Sequence, residues 1–183
     1  MLFRSQRCKK IIQGLLEFSR EQEPEMALLN INHIMESALG ILENEFHLRQ
    51  VRILKTLAED MVETFLDKNQ IEQVFINLLL NALQAVDDSG LVTVKSAVDI
   101  KAGSISVEVA DNGCGITVEN LKKIFEPFFS TKGDGTGLGL AVSYGIVESH
   151  KGNIRVFSEP VQGTRFVVEF PLPPHNLTGK DRS

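Results

Sequence analysis

The sequence predicts a two-layer α/β sandwich, with helices on one face of a mixed, mostly antiparallel sheet. Three observations lead there. Helical and strand patterns interleave along a single chain of 183 residues. The strands come in hairpins, not in the strict strand–helix–strand alternation of a parallel sheet. The segment from Gln70 to Val86 carries a three–four apolar repeat at Ile71, Val74, Phe75, Leu78, Leu79, Ala82 and Val86, one face of a long helix.

Taken in order, "RCKKIIQGLLEFSR" reads as an amphipathic helix with Cys8, Ile11, Ile12, Leu15 and Leu16 on its apolar stripe. Pro24 in "EQEPE" breaks it, so residues 1–23 form a helix and linker and residues 24–174 the main domain. "MALLNI" is a short strand. Asn32 is the expected cap of the next helix, whose apolar positions are Ile34, Met35, Ala38, Leu39, Ile41 and Leu42. "VRILKTL" alternates as a strand, and "ETFLD" is expected to pair with it. After the Gln70–Val86 helix, "DDSG" is a stop. "LVTVKSAVDI" and "SISVEVAD" are two strands about a turn at Ala102–Gly103. "GLGLAVSYGIVESH" is a helix ending near Lys151–Gly152. "GNIRVFSE" and "GTRFVVEFPL" make a closing hairpin, and residues 175–183 are a polar tail.

Composition narrows the function classes. A net charge of −5 and 43% hydrophobic residues suit one globular domain with a small appendage. The acidic balance argues against nucleic-acid binding, which needs a basic surface. No apolar run approaches the roughly 18 residues of a membrane span, and no secretory leader pattern is present, so no direct membrane contact is expected. Cys8 and Cys114 fit no metal spacing and suit a reduced, cytoplasmic setting.

The Gln70–Val86 helix carries an unusual polar face. Gln73, Asn77 and Asn81 recur every fourth residue beside Leu78, Leu79, Leu80 and Leu83. Asparagine is a mediocre helix former because its amide competes for backbone hydrogen bonds. One reading is a solvated stripe or a buried amide network. The other is an asparagine carbonyl aimed into a cleft, where it could hold a hard cation such as Mg²⁺.

Two glycine clusters follow. In "VEVADNGCGI", Asp111 ends a strand, and Gly113 and Gly115 permit a sharp turn and close approach to a flat ligand. A strand-end carboxylate can accept a hydrogen bond from an exocyclic amine, although Asp-Asn-Gly is equally a good turn sequence. In "GDGTGLGLAVS", Gly133, Gly135, Gly137 and Gly139 precede and open a helix, where free backbone amides favour an anion. The segment lacks the Gly-Lys-Ser/Thr ending of a Walker loop and does not follow a strand as a Rossmann fingerprint must. Between the clusters, Lys132 in "EPFFSTK" can give a phosphate a point charge, and Phe125, Phe128 and Phe129 suit hinge or core packing.

The order of these segments resembles the GHKL family of ATP-binding domains, and within it the catalytic domain of sensor histidine kinases, over about Met26 to Pro173. "NLLLNALQAV" is similar to the N box, "DNGCGI" to the first glycine box, "IFEPFFSTK" to the F box and "GTGLGLAVS" to the second glycine box. The resemblance implies the Bergerat sandwich fold, with ATP and Mg²⁺ as ligands. It implies that Asn81 coordinates the metal and that Asn77 lies by the same phosphates. Asp111 would recognise the adenine amine, with a water shared with Thr164. Gly113, Gly115 and Ile116 would shape the adenine wall. Lys132 and the backbone of Gly135, Thr136, Gly137, Leu138, Gly139 and Leu140 would meet the phosphates, with Phe129 nearby. The run from Phe125 to Thr136 would be the ATP lid. Asn77 and Lys132 are the candidate catalytic groups.

One position separates branches of the family. Where the gyrase-like and chaperone-like ATPases carry a water-activating glutamate, this sequence has Asn77, which disfavours hydrolysis and favours phosphoryl transfer to a side chain. Gln84, where lysine or arginine is common, together with "EPFFSTK", resembles the nitrogen-regulation type of sensor kinase. The opening helix resembles the second helix of a dimerisation hairpin. None of His33, His47, His150 and His175 fits the phosphoacceptor pattern; each reads as a surface or cap histidine. The chain is therefore expected to be a fragment that binds ATP and acts on a histidine hairpin of its parent kinase, with a response-regulator receiver domain next in line. The alternatives are a GHKL ATPase, an anti-sigma-type serine kinase, and a nucleotide-sensing adaptor.

Overall fold

The computed structural model describes residues 24–132 and 135–173. The expected N-terminal helix, the polar tail, and Gly133 lie outside the described residues. The chain order is β1 (Ala27–Leu29), α1 (Ile31–Leu48), β2 (Arg52–Thr56), β3 (Thr64–Leu66), α2 (Lys68–Ala85), β4 (Leu91–Asp99), β5 (Ser104–Asp111), α3 (Val118–Leu121), α4 (Gly139–Ser149), β6 (Asn153–Glu159) and β7 (Gly163–Pro171).

A five-stranded sheet runs in the order β2-β4-β5-β7-β6. Only the β2–β4 pair is parallel; the other pairs are antiparallel. The helices bury their apolar stripes against the sheet. In α1 the buried positions are Ile31, Ile34, Met35, Ala38, Leu42 and Phe46. In α2 they are Ile71, Val74, Phe75, Leu78, Leu79, Ala82 and Leu83. They meet Val92, Val94, Ile105, Val107, Val109, Phe166, Val168 and Phe170 from alternate positions of the strands, forming one core. The opposite face of the sheet is polar: Glu108 pairs with Arg165 at 3.2 Å, and the Arg165 guanidinium lies 4.3 Å over the ring of Phe157. This is the two-layer sandwich that the hairpin pattern predicts.

Two local expectations are corrected. The strand "ETFLD" does not pair with "VRILKTL": β3 pairs antiparallel with β1, Ala27 opposite Leu66. Thr64 Oγ1 donates to the carbonyl of Pro171 at 2.6 Å, which fixes β3 beside the end of β7. The cap of α1 is Asn30, not Asn32; its Oδ1 accepts from the Asn32 N–H at 2.9 Å. Asn32 instead uses its Nδ2 on the Ala58 carbonyl at 2.9 Å.

The ends of α2 are held firmly, which matters because this helix carries the asparagines. Asp67 caps its start, accepting from Gln70 N at 3.0 Å with one oxygen and from Glu25 N at 2.8 Å with the other. Arg49 donates to the Leu83 and Val86 carbonyls at 2.6 and 3.0 Å, closing the far end. His150, the C-cap of α4, is 3% exposed and so is no surface histidine. Its Nε2 accepts from Asp67 N at 3.0 Å, and its Nδ1 lies 2.8 Å from the Ile146 carbonyl. The ring is therefore the neutral tautomer protonated on Nδ1. His150→Ala leaves the Asp67 N–H buried without an acceptor and opens a cavity beside Phe170. We expect a loss of about 2–4 kcal/mol in urea unfolding.

Candidate nucleotide-binding site

The site lies between α2, the loop after β5 and the start of α4. Asp111 stands at the end of β5, half-buried, opposite Thr164 on β7. Its Oδ1 accepts from Gly113 N at 2.8 Å and Thr164 N at 3.3 Å. Two backbone donors on one oxygen fix the rotamer and leave the second oxygen for another donor. Burial raises the carboxyl above its ordinary value, while these two N–H groups and the nearby Lys132 act in the opposite direction.

The loop after Asp111 is tied on both sides. Cys114 N donates to the Ala85 carbonyl at 3.0 Å, at the C-terminus of α2. On the other side Val161 N donates to Cys114 O, and Ile116 N donates to Ser158 Oγ, both at 2.8 Å. The glycines follow from this packing. A Cβ on Gly113 would overlap the Ala85 carbonyl, and one on Gly115, which has φ +69°, would overlap the Glu159 carbonyl. Close approach is thus required as predicted, but what approaches is the protein's own backbone.

The polar face of α2 divides between two jobs. Asn77 Nδ2 lies 3.2 Å from the Gly139 carbonyl and 3.3 Å from Ser143 Oγ, while the buried Ser143 donates to the same carbonyl at 2.9 Å. This amide network pins the first turn of α4 to α2. Asn81 Oδ1 instead lies 3.5 Å from Lys132 Nζ, and Gln84 Oε1 accepts from the same ammonium at 2.7 Å. Burial lowers the Lys132 pKa, with Cys114 and Asp111 acting against that. One lysine therefore connects the Asp111 end of the site to the asparagine end. The Asn81 carbonyl already faces a positive charge, so its oxygen suits a hard cation such as Mg²⁺. Among the described residues no group of three or more His, Cys, Asp or Glu could hold a metal. A cation here would rest on Asn81 and on the oxygens of its ligand.

The segment between the clusters is anchored at its base. Phe128 N donates to the Gly137 carbonyl at 2.9 Å, with Phe128 exposed and at φ +68°. Gly135 N donates to the Lys132 carbonyl at 3.2 Å, and Thr136 Oγ1 accepts from Leu138 N at 3.4 Å. Phe125 and Phe129 pack on the core, and Phe125 meets the Tyr144 ring at 5.4 Å. Leu138 is buried, while Ile116 and Leu140 pack on the core and stay partly exposed. No side chain caps α4, so the amides of its first turn are available to an anion.

Three supporting residues escaped the sequence reading. Ser143 and Ser158 look like any serine in a helix or strand. Gln84 stood out only as a departure, not as the partner of Lys132.

Fold and site together define an ATP-binding catalytic domain of the histidine-kinase kind. Residues 66–174 match the model of the histidine kinase-, DNA gyrase B-, and HSP90-like ATPases, and the chain belongs to that family. It is 36% identical over 165 residues to the signal transduction histidine-protein kinase AtoS of Escherichia coli K12, covering 90% of this chain and 27% of that protein. The chain thus spans about a quarter of that relative's length. Full-length ShkA, solved in complex with AMPPNP, superposes with a TM-score of 0.79 at 25% identity, covering 88% of this chain and 35% of the other. Histidine kinase ThkA, solved in complex with response regulator protein TrrA, gives 0.80 at 26% identity, covering 96% and 50%.

Proposed function

We propose that this chain is the catalytic part of a sensor histidine kinase that binds ATP with Mg²⁺ and passes the γ-phosphoryl group to a histidine on its parent's dimerisation hairpin. In that transfer the bond from the γ-phosphorus to the β,γ-bridging oxygen breaks, a phosphorus–nitrogen bond forms on the imidazole, and ADP leaves. A response-regulator receiver domain is the onward acceptor; the ThkA complex with TrrA supports this partner. Among the described residues no helix is long and apolar enough to cross a membrane; a cytoplasmic location goes with this reading.

The observation that carries the proposal is the state of Asn77. Its amide donates to Gly139 O and Ser143 Oγ, so the position where a hydrolytic member would keep a base is a structural donor. That supports transfer to a side chain over ATP hydrolysis. Bound Mg²⁺ would neutralise charge on the phosphates. The chain's own contribution is positioning: Asp111 orients the base, the α4 amides and Lys132 orient the phosphates, and Asn81 orients the metal. Lys132 must leave Gln84 and Asn81 to do so. Gln84 together with "EPFFSTK" supports the nitrogen-regulation type.

The test is calorimetric titration of ATP with and without Mg²⁺, with GTP as control, followed by addition of a hairpin carrying its histidine. ATP-selective binding and acid-labile phosphate on the hairpin are expected. Rapid phosphate release with no transfer would favour the ATPase reading. Asn81→Ala is expected to weaken Mg²⁺-dependent binding more than metal-free binding; equal losses would remove the metal role.

A further inference from the structure

We propose that Ser158 is a specificity-determining positioning residue that fixes the proton on Thr164 and so makes the base-binding edge accept only donors. The proposal rests on the nucleotide reading above. Asp111, Thr164 and Ser158 form one cross-strand row on β5, β7 and β6, with Asp111 opposite Thr164 and Thr164 opposite Ser158.

Ser158 Oγ has three contacts: Ile116 N at 2.8 Å, the Gly163 carbonyl at 2.8 Å and Thr164 Oγ1 at 2.9 Å. A serine hydroxyl has one proton and two lone pairs. The amide of Ile116 can only donate, and the carbonyl of Gly163 can only accept. Ser158 must therefore accept from Ile116 and donate to Gly163, leaving one lone pair for Thr164. Only one assignment satisfies all three: Thr164 donates to Ser158. The cost of leaving a buried partner unmet selects it, since Thr164 is buried.

A threonine whose proton is fixed in this way shows its neighbours only lone pairs. The free oxygen of Asp111 is likewise an acceptor when ionised. The edge therefore suits an exocyclic amine and opposes a carbonyl at the same place. Ser158 touches no base itself. It sets the polarity of Thr164, which would meet the base through the water it shares with Asp111, and its bond from Ile116 N holds the glycine loop at the same time.

The experiment compares ATP with inosine triphosphate, which replaces the 6-amine by a carbonyl, by competition against a fluorescent ADP. In Ser158→Ala the Thr164 hydroxyl is free to turn and donate. ATP affinity should then fall about tenfold, with inosine triphosphate changed less than about threefold, so that discrimination drops. Ser158→Thr, which keeps the hydroxyl, should retain the wild-type ratio. In a Thr164→Val background, Ser158→Ala should have no further effect on the ratio. Equal losses for both nucleotides in Ser158→Ala, or additive effects in the double variant, would overturn the proposal and leave the nucleotide site standing. A wild-type chain with no preference for ATP would overturn the proposal together with the adenine role of Asp111. If Ser158→Ala does not fold, the Ser158→Thr and Thr164→Val ratios still decide.

Discussion

Asp111→Asn is expected to weaken ATP binding by about 10–150-fold, the equivalent of about 1.5–3 kcal/mol for a hydrogen bond to a charged group, without unfolding the domain. The geometry makes this substitution unusually clean. Oδ1 of Asp111 accepts from Gly113 N and Thr164 N, and an asparagine must keep its own oxygen there to satisfy the same two donors. Its NH₂ is then forced into the position of the free carboxylate oxygen. A donor would face the adenine amine, itself a donor. Binding measured by calorimetry should fall while the thermal midpoint holds, because the buried charge that burial penalises has gone. An unchanged ATP affinity would remove Asp111 from the adenine pocket.

The same residue sets a pH dependence. Burial raises the Asp111 carboxyl above its ordinary value, so the folded protein holds this proton more tightly than the unfolded chain does. As pH falls through the raised value, this group adds stability, and that gain is complete below the ordinary carboxylate value. Over the same window ATP affinity falls, because Oδ1 is held by the Gly113 and Thr164 N–H groups, so the proton sits on the free oxygen and turns the acceptor that faces the amine into a donor. Affinity should therefore begin to drop at a pH above that typical of aspartate. Asp111→Asn should show only the titration of the phosphates, and a wild-type curve that matches it would refute this account.

The parts of the fold legible in the sequence were those set by local periodicity. The α2 stripe and the β4–β5 and β6–β7 hairpins need only neighbours along the chain, and they stand within a residue or two of expectation. The pairing of β3 was not legible, because Thr64 is placed by Pro171 and Asp67 by His150, contacts over a hundred and over eighty residues away in sequence. At the site, residue types were readable but partners were not. Asn77 and Asn81 sit on one face as their spacing requires, yet only the fold shows that one braces α4 and the other faces Lys132. Of the readings of that face, the amide network is realised at Asn77, while one turn on the Asn81 carbonyl faces the Lys132 ammonium.

Gly115→Ala is expected to cost about 2–4 kcal/mol, from backbone strain at positive φ together with overpacking, and to lower the thermal midpoint by on the order of 5–15 °C. The residue has φ +69°, where an L side chain is strained, and its new methyl would overlap the carbonyl of Glu159. Relief cannot come from a rotamer, since the obstacle is backbone. The loop must lift from the β6–β7 turn, which breaks Ile116 N to Ser158 and Val161 N to Cys114 O. Gly103 offers the control. It has a similar φ of +67° but nothing within 4 Å of its added Cβ, so Gly103→Ala carries the conformational cost alone. The difference between the two variants isolates the contact with Glu159. If glycine at 115 served only to admit a ligand, both variants would unfold alike and only nucleotide binding would separate them. If it serves the docking of the loop, Gly115→Ala is the less stable protein even with no nucleotide present.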